Sequence, residues 1–403
     1  MYQQYLGLMR VATSTWWRHK EFSRGISLDT ISTYAVYMLI KNAIERLHHG
    51  FHTAVAVFRV GFSFLLASGA VGSSVAGRRS PYRFSRETGL IGAVDIGGTK
   101  IAVGMIDEAG KVRARLQHST DADRGYGHAL ANIREMLETT AHSAGTEVSG
   151  IGIGSTGPVD PLTGEFGNVN FFPKWKGENL VKDLAGLFCV NVAMENDADA
   201  AALGEAAWGA GKNKKRLIYV TVGTGIGTGF IVDGNLYRGV ENSHPEMGHH
   251  VVDPSGPLCD CGCHGCWESL AAGPGMTAWV RKEAPDDYPY GTDLSAKRIC
   301  ELAAEGEELA QRAVEREAYY LGLGLANLIT LFTPDAIVLG GSVMKSAHLF
   351  LDGIREIIRQ SCRLVPFDKT ELTLASLGED ANLIGAARVW HHRFSGRGGQ
   401  RAC

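Results

Sequence analysis

The segment Ile91-Gly92-Ala93-Val94-Asp95-Ile96-Gly97-Gly98-Thr99-Lys100 says more about the fold than any other part of this 403-residue chain. Its apolar run stops at a Gly-Gly turn and resumes at Ile101, which is typical of a β-hairpin. The same pattern recurs where the apolar residues 217–222 lead into a second glycine-rich loop, residues 223–229. Because two halves of the chain each open on such a hairpin, we predict a duplicated α/β fold with mixed sheets and a cleft between two lobes.

Helices and strands alternate through the rest of the chain. Apolar residues at helical spacing and alanine-rich stretches predict helices over residues 127–142, 198–208, 295–332 and 381–392. Short apolar runs predict further strands over residues 148–154, 190–195 and 336–341. We therefore divide the chain into an N-terminal extension (1–89), a small lobe (90–200 with 378–392) and a large lobe (201–377).

The charge of the chain is unevenly distributed. Apolar residues make up 45% of the sequence and charged residues 21%, which is an ordinary balance for a globular protein. The net charge of −3 excludes a protein that binds nucleic acid through overall positive charge. Residues 1–90 hold 11 Lys and Arg against 4 Asp and Glu, so this part has a local charge of +7 and the rest has −10.

The basic N-terminal extension allows two interpretations. Residues 60–77 contain no charged side chain, but glycine and serine dilute their hydrophobicity, so they are marginal as a membrane span. A targeting or membrane role is one interpretation, and a poorly ordered extension or leader is the other. For the body of the chain we expect a cytoplasmic location, because its cysteines cluster locally instead of forming a spread disulfide framework.

Glycine loops are the candidate phosphate sites. Backbone N–H groups can approach phosphate oxygens closely only where side chains are absent. The loop at residues 95–100 adds the Thr99 hydroxyl and the Asp95 carboxylate, which could hold the water ligands of magnesium. Residues 223–229 form a second cradle, and Gly340-Gly341 adds a third glycine pair. Both loops join strand to strand, so neither is a Walker A or Rossmann motif. The alternative is a pair of ordinary hairpins.

Asn196-Asp197 lies where a predicted strand ends and a helix begins. A carboxylate there is kept charged by the helix dipole and by neighbouring N–H groups, as a catalytic base for phosphoryl transfer requires. The alternative for Asp197 is an N-cap residue. Spacing alone does not rank Asp197 above Glu195 or Asp199.

A compact cysteine motif predicts a zinc site. Cys259-Asp260-Cys261-Gly262-Cys263-His264-Gly265-Cys266 offers a C-x-C-x4-C pattern, and His249 precedes it by ten positions. Three cysteines and one histidine form a favoured tetrahedral zinc set, although Cys263 is a fourth thiol within reach. A disulfide is disfavoured because closely spaced cysteines close strained rings. A purely structural zinc stays possible, but Glu246 and Glu268 flank the motif, as recognition of a polyhydroxyl ligand requires.

Taken together, these segments resemble the ROK family of sugar kinases and repressors over about residues 91–390. The resemblance rests on the two glycine loops and on the segments 154–160, 195–205, 246–249 and 259–268. It implies the two-lobed actin/hexokinase-type fold, which is ribonuclease H-like, with an interlobe cleft.

The resemblance also implies roles for residues at matching positions. Asp197 would be the base that takes a proton from a sugar hydroxyl, on C6 of a hexose. The sugar would be bound by Gly157, Asn170, Asn196, Glu246, His249 and Glu268. ATP and Mg²⁺ would be bound by Asp95, Gly97, Gly98, Thr99, Lys100, Gly223, Thr224, Gly225, Gly340 and Gly341. Zn²⁺ would be held by His249, Cys259, Cys261 and Cys266, and Cys263 departs from the residue usual at its place.

The substrate is open at this level. The segment from His244 to His249 looks like fructokinases, whereas the compact cysteines and residues 157–160 look more like glucokinases, and we favour glucose. Kinases for fructose, N-acetylglucosamine or N-acetylmannosamine are alternatives, because sugar discrimination rests on a few contacts. A sugar-responsive repressor and a zinc-stabilised sugar-binding protein without turnover are the other candidates. The resemblance further implies a homodimer or homotetramer, and no nucleic acid partner is expected.

Overall fold

The computed structural model describes residues 89–285, 288 and 294–394, which form two mixed sheets with helices packed on them. The first sheet has the order β3-β2-β1-β4-β5. Its strands are β1 Ile91–Ile96, β2 Lys100–Ile106, β3 Val112–Ser119, β4 Ile151–Ser155 and β5 Val192–Asn196. The second has the order β10-β9-β6-β7-β8. Its strands are β6 Arg216–Val222, β7 Ile226–Val232, β8 Asn235–Leu236, β9 Ala336–Gly340 and β10 Glu371–Leu374.

The two sheets share one topology. In each, the first three strands in chain order pair antiparallel, and the last two join them in parallel. The predicted duplicated α/β architecture is confirmed. Both predicted hairpins are present, with Ile96 paired to Ile101 and Val222 paired to Ile226. Because β4 and β9 run parallel to β1 and β6, the loops that follow these strands meet at one edge of each sheet.

Helices cover both sheets, and those predicted over residues 127–142, 198–208 and 381–392 are present. They are α1 Tyr126–Ser143, α2 Leu180–Phe188, α3 Asp197–Trp208, α4 Trp267–Ala271, α5 Gly273–Glu283, α6 Ala296–Glu305, α7 Glu308–Phe332, α8 Leu351–Ser361 and α9 Ala381–Phe394. The prediction of one helical stretch over 295–332 was wrong. Gly306 adopts a left-handed φ of 93° and ends α6, and the Glu307 side chain then caps α7.

Helix α3 leads from β5 of the first sheet to β6 of the second and packs unusually closely on its neighbours. A Cβ placed on Gly229 of β7 would lie 2.5 Å from Cβ of Ala202. A Cβ placed on Gly385 of α9 would lie 2.2 Å from the carbonyl oxygen of Ala200. The alanine-rich sequence of α3 and the glycines that face it therefore permit backbone-to-backbone contact, and this contact determines where the N-terminus of α3 lies.

The predicted targeting or membrane segment at residues 60–77 lies outside the described residues. Within the part that the structure describes, no helix has both the length and the apolar character needed to cross a bilayer.

A buried glutamate lies in the core of the second half. Glu317 of α7 is fully buried, and neither of its carboxylate oxygens has a hydrogen-bond partner. Burial raises the pKa of Glu317 to about 8, and the charge of Arg316 only partly opposes this. An unpaired carboxyl group in such a place binds a proton on folding, because burial disfavours its ionised form.

This burial predicts a pH-dependent cost to stability. A raised folded-state pKa means that the folded chain holds more protons than the unfolded chain between pH 4.5 and about 8, so stability falls as pH rises through this range. We expect Glu317→Gln to remove that dependence, so its advantage over the wild type in urea unfolding should be larger at pH 8 than at pH 5. Glu315→Gln, an exposed position on the same helix, is the control. Equal gains at both pH values would contradict the assignment.

Candidate active site

The catalytic candidate Asp197 lies at the first position of α3, and Asn196 is the N-cap. The Asn196 side chain accepts hydrogen bonds from the backbone N–H groups of Ala198 and Asp199. The alternative interpretation of Asp197 as the capping residue was therefore wrong. Its Oδ1 accepts from the Ala198 N–H at 2.8 Å, and its Oδ2 accepts from the Thr156 hydroxyl at 3.2 Å. These contacts hold the carboxylate at the end of β5 and beside the end of β4.

The first glycine loop brings a second carboxylate close to Asp197. Burial, followed by the negative charge of Asp197, raises the pKa of Asp95 to about 7, while the charge of Lys100 and a hydrogen bond from Asn382 oppose the rise. Burial also raises the pKa of Asp197 above its usual value. Two carboxylates that disfavour each other's ionisation are a fitting place for a divalent cation, so these residues fit a magnesium site.

The second and third glycine loops lie against each other. A Cβ placed on Gly341, whose φ is 94°, would lie 2.3 Å from the carbonyl oxygen of Val222. A Cβ placed on Gly223 would lie 3.3 Å from the Ser342 hydroxyl. Gly340 is buried, whereas Thr224 in the second loop is exposed, as are Thr99 and Lys100 at the first loop. Exposed hydroxyls beside glycine backbone are the kind of group that binds phosphate oxygens.

The predicted zinc ligands form one cluster. The donor atoms of His249, Cys259, Cys261 and Cys266 all lie within 4.8 Å of one another. The Cys261 and Cys266 sulfurs are 3.4 Å apart, and His249 Nδ1 is 3.4 Å from the Cys259 sulfur. Burial raises the pKa of Cys266 to about 12, so a bound metal would be needed to hold that thiol as thiolate. One imidazole and three thiols within such a distance fit tetrahedral zinc, and exposed Cys263 is outside the set.

Glu268 connects the cysteine cluster to the second glycine loop. Its Oε2 accepts a hydrogen bond from the Ile226 N–H at 2.8 Å, and its Oε1 is 3.9 Å from His249 Nε2. A Cβ placed on Gly225 would lie only 2.4 Å from that Oε2. One ring nitrogen of His249, Nδ1, therefore faces the thiols, and the other, Nε2, faces Glu268.

Two of the other residues predicted to bind sugar lie next to each other. A Cβ placed on Gly157 would lie 3.3 Å from Nδ2 of Asn196, so these two positions are adjacent. Asn170 and Glu246 are both exposed, and no hydrogen bond of their side chains is found within the described range. Open polar side chains of this kind are available to a ligand.

A buried ion-pair network beside the site was missed by the sequence analysis. Arg238 binds both Glu195 and Asp199, and His244 also binds Asp199. These side chains line a cavity of about 420 Å³ together with Asn196. A lone arginine outside any motif gave no signal in the sequence. Asp199, which spacing could not separate from Asp197, points into this network.

Comparison with known proteins places this arrangement in context. The profile of the ROK family matches residues 91–393. A glucokinase of Thermotoga maritima is 32% identical over 318 residues, covering 76% of this chain and 98% of the relative. A xylose repressor of Bacillus spizizenii is 30% identical, covering 80% of this chain and 83% of the relative. The crystal structure of a ROK family glucokinase from Streptomyces griseus in complex with glucose and AMPPNP superposes with a TM-score of 0.65 at 32% identity, covering 75% and 99% of the two chains.

The cluster predicts which cysteines hold a metal. We expect purified wild-type protein to contain about one zinc per chain, and Cys261→Ser to lose most of it, because the substitution removes a thiolate ligand. Cys263→Ser is the matched control, two positions away and outside the cluster, and should keep its zinc. Metal content by plasma mass spectrometry checks both. Zinc loss in Cys263→Ser with retention in Cys261→Ser would contradict the assignment.

Proposed function

We propose that this chain, which belongs to the ROK family, is an ATP-dependent hexose kinase that phosphorylates glucose on its C6 hydroxyl. The observation that carries the proposal is the position of Asp197. Its carboxylate lies beside Asp95 of the first glycine loop, at the edge where β1, β4 and β5 end. A proton acceptor next to a phosphate cradle is the arrangement that transfer to an alcohol needs.

Asp197 would act as the base. Its hydrogen bonds from Ala198 and Thr156 favour the ionised form, and burial makes that carboxylate a better proton acceptor than a free aspartate. The hydroxyl oxygen would form the new bond to the γ-phosphorus while the bond from that phosphorus to the bridging oxygen breaks. The proton would go to Asp197, and ADP would leave with the electron pair of the broken bond.

The sugar would be oriented from the opposite side of the cleft. Glu268 uses Oε2 for the Ile226 N–H, which leaves Oε1 and the neighbouring His249 Nε2 for hydroxyl groups. Asn196, Gly157, Asn170 and exposed Glu246 would complete the contacts. Zinc, when held by His249 and the three cysteines, supplies a rigid loop that keeps these groups in place.

The nucleotide would lie along the glycine turns. Gly98, Gly225 and Gly341 would offer backbone to phosphate oxygens, helped by Thr99, Lys100 and Thr224. Gly97 and Gly223 would shape the turns, because their N–H groups donate to the carbonyls of Lys100 and Gly225, and Gly340 is buried. A magnesium ion held near Asp95 supplies neutralisation of phosphate charge when bound. The chain matches 99% of the length of the S. griseus glucokinase, which was crystallised with glucose and AMPPNP. This similarity supports the proposal that this chain binds glucose and ATP.

The identity of the sugar is the finer part of the proposal. Similarity to glucokinases over nearly their whole length favours glucose over fructose or an N-acetylated amino sugar. The repressor is the second candidate, supported by the similarity to a xylose repressor and by the basic residues 1–90. The presence of Asp197 between two phosphate loops favours the kinase.

A hexose panel with ATP and magnesium tests the activity. We expect a coupled ADP assay to give the highest kcat/KM with glucose, and Asp197→Asn to lower kcat by about 10²–10⁴-fold, because it removes the proton acceptor. Asp352→Asn is the matched control, since Asp352 also lies in the first turn of a helix, α8, but is fully exposed. It should retain wild-type activity.

Absence of ADP release with every hexose would reject the kinase. Salt-sensitive, sequence-selective DNA binding by the full chain would then favour the repressor.

Gly225 offers a second test, of the sugar side. Gly225→Ala introduces a methyl group where Glu268 Oε2 lies, so we expect Glu268 to move and glucose binding to weaken about tenfold in calorimetry. Gly127→Ala in α1 is the control, because a Cβ there meets no atom within 4 Å. Unchanged glucose affinity in Gly225→Ala would remove Glu268 from the binding site.

A further inference from the structure

Two basic side chains at the ends of one short loop bind carboxylates on either side of Asn196-Asp197. Arg238 and His244 lie at the neck of the loop 239–243, which is closed by a hydrogen bond from the Gly239 N–H to the Ser243 carbonyl at 2.9 Å. This neck brings both side chains to one oxygen, Oδ2 of Asp199, at 2.6 Å from Arg238 and 2.7 Å from His244. The other arm of the Arg238 guanidinium binds Glu195.

The two carboxylates flank the residues proposed for catalysis. Glu195 and Asp199 lie immediately before and shortly after Asn196-Asp197, so an arginine that binds both spans the turn that presents the base. The same loop continues directly into Glu246 and His249, the proposed sugar contacts. Arg238 and His244 thus connect the segment that carries the proposed base to the segment that is proposed to bind the sugar.

The network reaches further elements. Glu195 Oε1 lies 3.6 Å from the guanidinium of Arg393 on α9, and Arg393 donates to the Pro161 carbonyl at 2.9 Å. Glu195 is 5% exposed and Asp199 is fully buried. Burying two carboxylates costs several kcal/mol before pairing, and apolar side chains of similar volume are often at least as stabilising as a buried ion pair. Stability alone is therefore a poor reason for this network.

The loop 239–243 borders open space. The cavity of about 420 Å³ lies between the loop and residues 158–167, and Val240 at the loop tip is 83% exposed. Glu241 and Asn242 at the tip have left-handed φ angles of 54° and 59°. Because space adjoins the loop, the loop is free to shift when the ion pairs are removed.

We propose that Arg238 and His244 are positioning residues that keep the Asp197 carboxylate in register with the sugar-binding segment. This inference rests on the proposed hexose kinase activity and assigns the two residues no contact with substrate. A displacement of about 1 Å between a base and its hydroxyl can lower a rate by about 10²-fold. Loss of the Arg238 and His244 ion pairs should therefore lower kcat.

The kinetics of Arg238 and His244 variants test the proposal. We expect Arg238→Met to lower kcat about 10–100-fold with the preferred hexose, while KM for ATP stays within about threefold, because the phosphate loops are untouched. Arg238→Lys should recover part of kcat, since an ammonium restores the charge but not the two-armed geometry. His244→Asn should lower kcat less than Arg238→Met, because Arg238 still pairs Asp199.

Matched controls separate positioning from folding. Arg216→Met removes an arginine–aspartate pair with Asp335 on the surface of the second sheet and should leave kcat unchanged. Because Arg238→Met leaves the buried carboxylate of Glu195 without this arginine, the double variant Glu195→Gln/Arg238→Met is made alongside. All rates are measured well below the melting temperature of each variant. A purely structural role would lower melting temperature and leave kcat of the folded protein at the wild-type value.

The outcomes are distinguishable. Wild-type kcat in folded Arg238→Met, in the double variant or in His244→Asn, with an active wild type, overturns the positioning role alone. A wild type that phosphorylates no hexose overturns the proposed function and this inference with it. A reduced kcat with a preserved KM for ATP and partial rescue by lysine supports the positioning role of Arg238 and His244.

Discussion

The contact of helix α3 with β7 and α9 is the constraint on which the rest of the site depends. Glycines at 229 and 385 let the helix backbone approach its neighbours at distances that any side chain would forbid. The position of α3 sets the position of its first turn, and that turn presents Asp197 to the edge where β1 and β4 end. A bulkier interface would move the N-terminus of the helix away from the glycine loops.

Four carboxylates lie near this edge, and their charges are stabilised in two different ways. The negative charge of Asp197 disfavours ionisation of Asp95, so a bound cation would stabilise this pair. Behind the turn, Glu195 and Asp199 are paired by Arg238. The first arrangement leaves charge available to a ligand, whereas the second satisfies charge internally, and the difference separates the residues that would meet substrate from those that hold them.

Local patterns predicted much of this molecule, and the errors have physical causes. Gly-Gly turns between apolar runs predicted both hairpins, because pairing across a tight turn is a local event. The cysteine spacing predicted a metal cluster but left Cys263 as a possible ligand, and only the folded loop leaves Cys263 outside the group that His249, Cys259, Cys261 and Cys266 form. The periodicity of residues 295–332 continues through Gly306, so the break was hidden even though glycine is a common helix terminator.

The sequence by itself determined the repeated strand–turn–strand units, the glycine loops and the kinds of side chain available for phosphate, metal and sugar, since each is a local property of neighbouring residues. The tertiary structure decided that Glu195 and Asp199, but not Asp197, pair with Arg238, and it thereby joined this arginine to carboxylates some forty positions earlier. Such long-range pairs leave no periodicity in the chain, because they exist only when packing brings the segment after β8 next to the end of β5 and the first turn of α3.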